Sequence, residues 1–403
     1  MESYLISDII YKILSYLRKD DSFNFLNICT TTSKNKHFLY NKYIFDHKAL
    51  VSTNKFAEYI NSVYVKIGLK NLTLNKLTLS NLTSIEFYSS NKMLFDIDIL
   101  KYLPTNLKTL AIISDEFNQP LNSLPHSLKT LHIDSARFNK SLNALPNGLI
   151  NLYVNSRKFN KSLCYLPLTL KCVILLNKDM NFKNENKINL SYLINVTNLK
   201  IRSKFLESHP FPPNLEELQI CYTYVSDTLN LVSDSLNKMI NGLPTNLKSF
   251  KIADKRFNYP LNNLPATLEC LILNCVNFNQ SLDKLPNNLK TLKLCCGNYV
   301  QQLDKLPTTL LELHMDLLNF NNVINLPNNL KILRMTSECY NHIIYSFPET
   351  IEILSLQCPK LDQNLFELPT NLNEIMISTR IYTYTNVIKD IREEFYINCN
   401  WIH

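Results

Sequence analysis

The sequence predicts an α/β solenoid, a parallel sheet grown from rungs of about 21 residues and preceded by a small all-α module. Three observations carry this. First, FNQPLNSLPHSLKTLHI from Phe117 returns as FNKSLNALPNGLINLYV from Phe138, FNKSLCYLPLTLKCVIL from Phe159, FNYPLNNLPATLECLIL from Phe257 and FNQSLDKLPNNLKTLKL from Phe278. Second, the Leu-Pro prolines keep a fixed step: Pro104, Pro125, Pro146 and Pro167, then Pro244, Pro265, Pro286 and Pro307, are each 21 residues apart. One step of 20 leads to Pro327, and Pro348, in a Phe-Pro pair, and Pro369 follow at 21. Third, within each unit Leu131 and Ile133 flank His132 in the alternation of a strand with one buried face.

Residues 1–50 lack the repeat. Ile9, Ile10, Ile13, Leu14 and Leu17 recur at helical spacing behind Ser7, a fitting N-cap, and Asp20-Asp21 marks a break. Apolar sets at Phe23, Leu26 and Cys29, then Phe38, Leu39 and Tyr43, extend this to about three short helices. Residues 51–100 form a transition in which Ser80–Phe87, SNLTSIEF, has the form of a degenerate first rung. The array proper spans 101–378. It loosens near 180–240, where 181–190 and 222–239 exceed the repeat length and are expected to project as loops or a short helix. Residues 379–403 are expected to cap the array, with Val387, Ile388, Ile391 and Phe395 on one face of a helix.

Inside each rung, the Leu-Pro pair cannot continue a helix and turns the chain into the strand. Phe117, Phe138, Phe159, Phe257, Phe278 and Phe320, with Tyr299 and Tyr340 as variants, are expected to stack in one interior column. The asparagines one residue on, from Asn118 to Asn341, are expected to turn inward and satisfy loop backbone groups.

Composition narrows the function classes. At 45% hydrophobic the chain has material for a continuous core, and no apolar run reaches bilayer length. MESYLISDII lacks the basic start of a secretory signal, so a soluble protein of the cytoplasm is expected, the host's if the protein is viral. Eleven cysteines without a C-x-x-C fit reduced thiols better than a disulfide framework or zinc ribbon. Cys275 and Cys296 share a phase in adjacent rungs, as a metal or redox pair would, or as two buried thiols; without a third ligand at their spacing, buried thiols are the better reading. Four glycines cannot build a phosphate cradle, and neither G-x-S-x-G nor H-E-x-x-H occurs. No enzyme activity, catalytic residue, cofactor or metal is expected. The net charge of +8 would favour acidic partners, but nothing resembles the aromatic platforms and basic clusters of a nucleic-acid binder. Neither nucleic acid nor a membrane is an expected partner.

The first fifty residues resemble an F-box, in the run Leu5-Ile6-Ser7-Asp8-Ile9-Ile10 through Ile13-Leu14-Ser15-Tyr16-Leu17, then Asp20-Asp21, Leu26 and Ile28-Cys29. Ile6 stands where that family has proline, and Thr32 where tryptophan is common. Residues from Tyr102 to Ile377 resemble the FNIP repeat, a leucine-rich-repeat relative found with N-terminal F-boxes in social amoebae and in giant viruses of amoebae. That resemblance implies the substrate-recognition subunit of an SCF-type cullin-RING ubiquitin ligase, with a host Skp-family adaptor, and the cullin beyond it, held through Leu5, Ile6, Ile9, Ile10, Ile13, Leu14, Leu17, Leu26 and Cys29. The alternatives are a helical cap on the first rung and a repeat scaffold with no ubiquitin link.

Recognition of a target protein falls to the strand positions that vary. The outward column holds His132 and Tyr153, and later Lys251, Lys293, His314 and Arg334, read as a cationic strip for an acidic segment of the target or as a solvated face.

Overall fold

The computed structural model describes residues 62–66, 83–89, 99–163, 165–176, 190–202, 211–221, 240–362, 368–380 and 383–387. The chain divides into two compact units, Met1–Leu170 and Lys171–His403. In the first, strands β1 (Ser62–Lys66), β2 (Ser84–Ser89), β3 (Thr109–Ser114), β4 (Thr130–Asp134) and β5 (Asn151–Asn155) pair in parallel in chain order. In the second, β6 (Cys172–Leu176), β7 (Asn198–Arg202), β8 (Glu217–Cys221), β9 (Ser249–Ala253), β10 (Cys270–Asn274), β11 (Thr291–Cys295), β12 (Glu312–Asp316), β13 (Ile332–Thr336), β14 (Ile353–Cys358) and β15 (Glu374–Thr379) do the same.

Register follows the repeat: Phe250, Leu271, Leu292, Leu313 and Leu333 are successive partners, as are Ile252, Leu273, Leu294, Met315 and Met335. These side chains are all at most 2% exposed, so alternation along the sequence becomes continuous apolar columns along the ladder. A rung of this kind buries its apolar face only against its neighbours.

The turn before each strand is closed by its own backbone. The Leu128 N–H donates to Pro125 O at 3.1 Å, and the same bond recurs from Leu149 to Pro146, Leu268 to Pro265 and Leu289 to Pro286. Two residues after the proline, a hydroxyl tethers the turn to the preceding rung. Thr309 Oγ1 lies 2.6 Å from Asn287 O and 2.8 Å from Leu289 O, and Ser127, Thr169, Thr267 and Thr350 repeat this. Where the position is Asn, as at Asn288 and Asn329, the Nδ2 amide donates to the preceding rung. The buried Ser135 and Ser156 hydroxyls hold Phe117 O and Phe138 O at 2.8 and 2.7 Å.

The ring column is present in both units. Phe117, Phe138 and Phe159 stack at 5.8 and 6.0 Å; Phe257, Phe278, Tyr299, Phe320 and Tyr340 stack at 5.7, 6.0, 6.5 and 6.1 Å. The tyrosines carry a defect: both are fully buried, and neither Oη has a hydrogen-bond partner. Burial pushes the Tyr299 phenol far above its ordinary value. Because an unmet buried hydroxyl costs about 1 kcal/mol or more, Tyr299→Phe is expected to raise the denaturant midpoint of the full chain. A midpoint at or below the parent's would show that the hydroxyl is satisfied in solution.

The asparagines differ from expectation. They do not turn into the loop of their own rung but lie at the surface, Asn118, Asn160, Asn258 and Asn321 exposed and Asn139, Asn279 and Asn341 half-buried. The Oδ1 atoms of Asn118, Asn139, Asn258, Asn279, Asn321 and Asn341 accept the backbone N–H of the equivalent residue one rung on: Asn118 from Asn139 at 2.9 Å, Asn258 from Asn279 at 2.9 Å, Asn279 from Val300 at 3.0 Å. The loops lack a backbone ladder at this point, and the amide oxygen supplies one.

The short rung costs the ladder nothing. Glu312 pairs with Ile332, 20 residues on, and Leu303 still bridges Ile324 at 21. The missing residue therefore falls between Ile324 and Pro327. Phe320 and Tyr340 stay within 2° of parallel, and Asn341 N still reaches Asn321 Oδ1 at 2.9 Å.

Two strands were not expected. β1 has no Leu-Pro turn to announce it, and β16 (Thr383–Val387) replaces the start of the helix expected over 386–395. It pairs with β15 antiparallel, matching Glu374 to Val387 and Ser378 to Thr383. Its composition, TYTNV, favours a strand over a helix. The expected helix's remaining residues, the segments 181–189 and 222–239, and the whole F-box-like run lie outside the described residues. Among the described residues no helix is long and apolar enough to cross a membrane.

Candidate functional site

The outward face of the strands is the surface that rung packing leaves open. It carries three positions per strand, of which the middle one is the column read from the sequence. In the first unit His132 and Tyr153 are register partners whose rings meet edge-on, with centroids 4.0 Å apart at 71°. Burial lowers the His132 pKa and the nearby Asp134 carboxylate opposes it. Asp134 Oδ1 in turn accepts from Asn155 Nδ2 at 3.1 Å.

In the second unit Lys251, Ile272, Lys293, His314 and Arg334 are consecutive partners across β9 to β13, all half-buried. The strip is not bare of counter-charge. Lys293 Nζ lies 2.9 Å from Glu312 Oε1, His314 Nε2 is 3.3 Å from the same oxygen, and Arg334 Nη1 is 3.4 Å from Glu374 Oε1. Thr291 Oγ1 completes the group at 3.3 Å from Glu312 Oε2.

Burial would raise the Glu312 carboxyl, but hydrogen bonds from His314 and Lys293 and the charges behind them overcome it and hold the pKa at about 2. Burial lowers the His314 pKa, and the Lys293 and Arg334 charges add to this against the pull of Glu312. The sequence reading missed Glu312 and Glu374. The available signal was the period of two: each precedes a column residue, His314 or Met376, by two positions and so shares its face.

Burial holds six of the described thiols toward the protonated form. Burial raises Cys172 and Cys221, and it raises Cys270 against a hydrogen bond to Ser249 and the charges of Lys251 and Lys293. Burial lifts Cys275 well above the ordinary thiol range and puts Cys296 and Cys358 at about 12. Cys275 and Cys296 are both free and fully buried, with Sγ 3.5 Å from Ile252 O and 3.6 Å from Leu273 O. They stand where Ser135 and Ser156 stand in other rungs, but their acceptors are strand carbonyls of the preceding rung, where the serines take the ring residue's carbonyl. Among the described residues no group of three or more His, Cys, Asp or Glu is placed to hold a metal ion.

The geometry defines a leucine-rich-repeat-like parallel solenoid with an open, chemically varied sheet face. The FNIP Repeat family model matches residues 98–135, a segment holding β3, the Phe117 ring and β4. No curated protein matches the chain. Among solved structures, the chain is similar to CroV588, described as a novel circular LRR protein, at 22% identity and a TM-score of 0.40, over 78% of this chain and 56% of that one. It is similar to YopM from Yersinia enterocolitica WA-314 at 21% identity and a TM-score of 0.46, over 80% and 74%. The chain thus spans little more than half the length of CroV588.

Proposed function

We propose that this protein is a non-enzymatic recognition scaffold whose outward sheet face binds another protein. One observation carries the reading. The recurring leucines, rings, turn hydroxyls and asparagines of a rung are committed to packing or to bonds between rungs, while the outward middle position changes from Ala111 to His132 to Tyr153, and from Lys251 to Ile272 to Lys293. A surface held rigid from beneath and free to vary on top is suited to selective binding. Co-purification from an amoebal host, read by mass spectrometry, tests it with the full chain and with Tyr153→Ala and Lys251→Glu variants. Loss of a specific protein from one or both variants, with unchanged thermal unfolding, is expected; a partner set indifferent to both changes would refute the assignment of the face.

A second reading is favoured by the run from Leu5 to Cys29: the scaffold is the substrate-recognition subunit of an SCF-type ubiquitin ligase in the cytoplasm, with the F-box-like module engaging a Skp-family adaptor and through it a cullin. Leu14→Asp with Leu17→Asp in the full chain is expected to abolish capture of adaptor and cullin while leaving the target bound. Undiminished capture of both would leave the scaffold without its ubiquitin link.

A further inference from the structure

The second unit has another surface past the ends of its strands, at the corner where each rung turns toward its ring. One position of that corner, always the second residue after the strand, is Lys255 behind β9, Val276 behind β10, Gly297 behind β11, Leu318 behind β12 and Glu338 behind β13. Backbone bonds keep these corners close to ladder spacing: the Asn277 N–H donates to Lys255 O at 3.2 Å, Asn298 to Val276 O at 3.0 Å and Glu338 to Leu318 O at 3.1 Å. The column therefore has a charge at each end and an apolar centre, in which Val276 and Leu318, 37% and 48% exposed, stand on either side of the glycine. The fold does not require glycine there. Gly297 is outside the left-handed backbone region, and a β-carbon on it would lie 3.5 Å from Leu318 Cδ1 and 3.8 Å from Val276 Cγ1, ordinary contacts. Its missing side chain leaves a notch floored by backbone and walled by two apolar side chains. Among the described residues neither Lys255 nor Glu338 has an ion-pair partner, and both are exposed.

We propose that this notch receives one aromatic side chain from an extended segment of a partner protein, with an acidic residue of that segment over Lys255 and a basic one over Glu338. Spacing limits the occupant to a single side chain. Val276 and Leu318 are two strand steps apart, about 10 Å at about 4.8 Å per step, and once each wall keeps its carbon contact distance of about 3.5–4.0 Å only one layer of atoms fits between them. A flat ring meets two facing walls at once. The Gly297 carbonyl already accepts from Asn319 Nδ2 at 3.1 Å, so a ring laid over it leaves that oxygen satisfied. Lys255 and Glu338 each lie two steps from Gly297, a distance an extended chain covers in about three residues. The segment therefore carries its acidic residue about three positions to one side of the ring and its basic residue about three to the other. Glu338 opposes a uniformly acidic segment and Lys255 a uniformly basic one. The corner is distinct from the outward column of the strands, and the inference does not depend on the role given to that column.

The test uses the full chain and a fluorescein-labelled seven-residue peptide read by anisotropy at low salt, with aspartate at one end, phenylalanine in the centre, lysine at the other end and serine or glycine between. Exchanging the phenylalanine for alanine is expected to weaken binding at least ten-fold. Gly297→Ala, which the backbone and the space both permit, fills the notch and is expected to weaken it about five-fold with an unchanged or raised unfolding midpoint. Leu318→Ser removes a wall and is expected to do the same, whereas Val323→Ser, at an exposed apolar residue off the column, is expected to change nothing. Lys255→Glu is expected to weaken the peptide, and a peptide with lysine in place of its aspartate is expected to recover the loss. No binding by the parent chain, equal binding of the phenylalanine and alanine peptides, or equal losses from Val323→Ser and Leu318→Ser would overturn the proposal. So would self-association of the chain that Leu318→Ser abolishes, which would assign the notch to a second copy. Lys251→Glu alters only the outward column and is expected to leave the peptide bound; a loss matching that of Lys255→Glu would place the segment on the sheet face and end the proposal while leaving the recognition face standing.

Discussion

Phe278→Ala is expected to destabilise the full chain by about 3–5 kcal/mol, the largest effect of any single truncation proposed for the array. The ring is completely buried and lies between Phe257 at 5.7 Å and Tyr299 at 6.0 Å, in planes only 2° and 8° from parallel. Removing it leaves a void that the neighbouring rungs cannot close, because their backbones are fixed by the Asn258, Asn279 and Asn288 bonds and by the strand ladder. In a stacked array the loss is shared by the rungs on either side. Chemical denaturation of parent and variant, with Phe278→Leu as a milder control, measures it. A loss below about 1 kcal/mol would mean that the column is not a continuous core.

The second large effect is at Glu312. Replacement by Gln is expected to cost about 2–3 kcal/mol near pH 7, because Lys293 and His314, 24% and 15% exposed at the side chain, would keep their burial and lose their carboxylate. The effect has a pH signature. The carboxyl is depressed in the folded chain from 4.5 to about 2, so within that window the unfolded chain binds more protons than the folded one. The contribution is complete above the unfolded value and is lost as pH falls through about 2; at about 1.36 kcal/mol per pH unit it amounts to ~3 kcal/mol. Stability measured from pH 5 to pH 2 should therefore fall less steeply in Glu312→Gln than in the parent. Parallel curves would place the acid sensitivity elsewhere.

The fold was legible because its rules are local and repeated. A Leu-Pro turn, a period-two strand and a ring recur at one spacing, and wherever all three occur the structure has a rung. Legibility failed where one of them was missing. β1 has the alternation of SVYVK without the turn, and in β16 a run of β-branched and aromatic residues outweighed the helical spacing read across Asn386 and Val387. The asparagine ladder was misassigned for a different reason. An amide beside a loop bonds inward or along the stack with the same chemistry, and only the position of the next rung decides which. The candidate face was half legible: its column residues follow from periodicity, but their neutralising partners do not. Arg334 reaches Glu374 across 40 residues, two strands away, a pairing no short spacing reveals.

The shortened unit between Ile324 and Pro327 has an evolutionary consequence. A gene encoding this chain can gain or shed single codons there and keep every ring, hydroxyl and amide in phase, whereas the same change between Pro327 and Tyr340 would shift the strand and all that follows. Drift in length should accumulate at that one corner among descendants of the gene, while growth elsewhere proceeds by duplication of whole 21-residue modules.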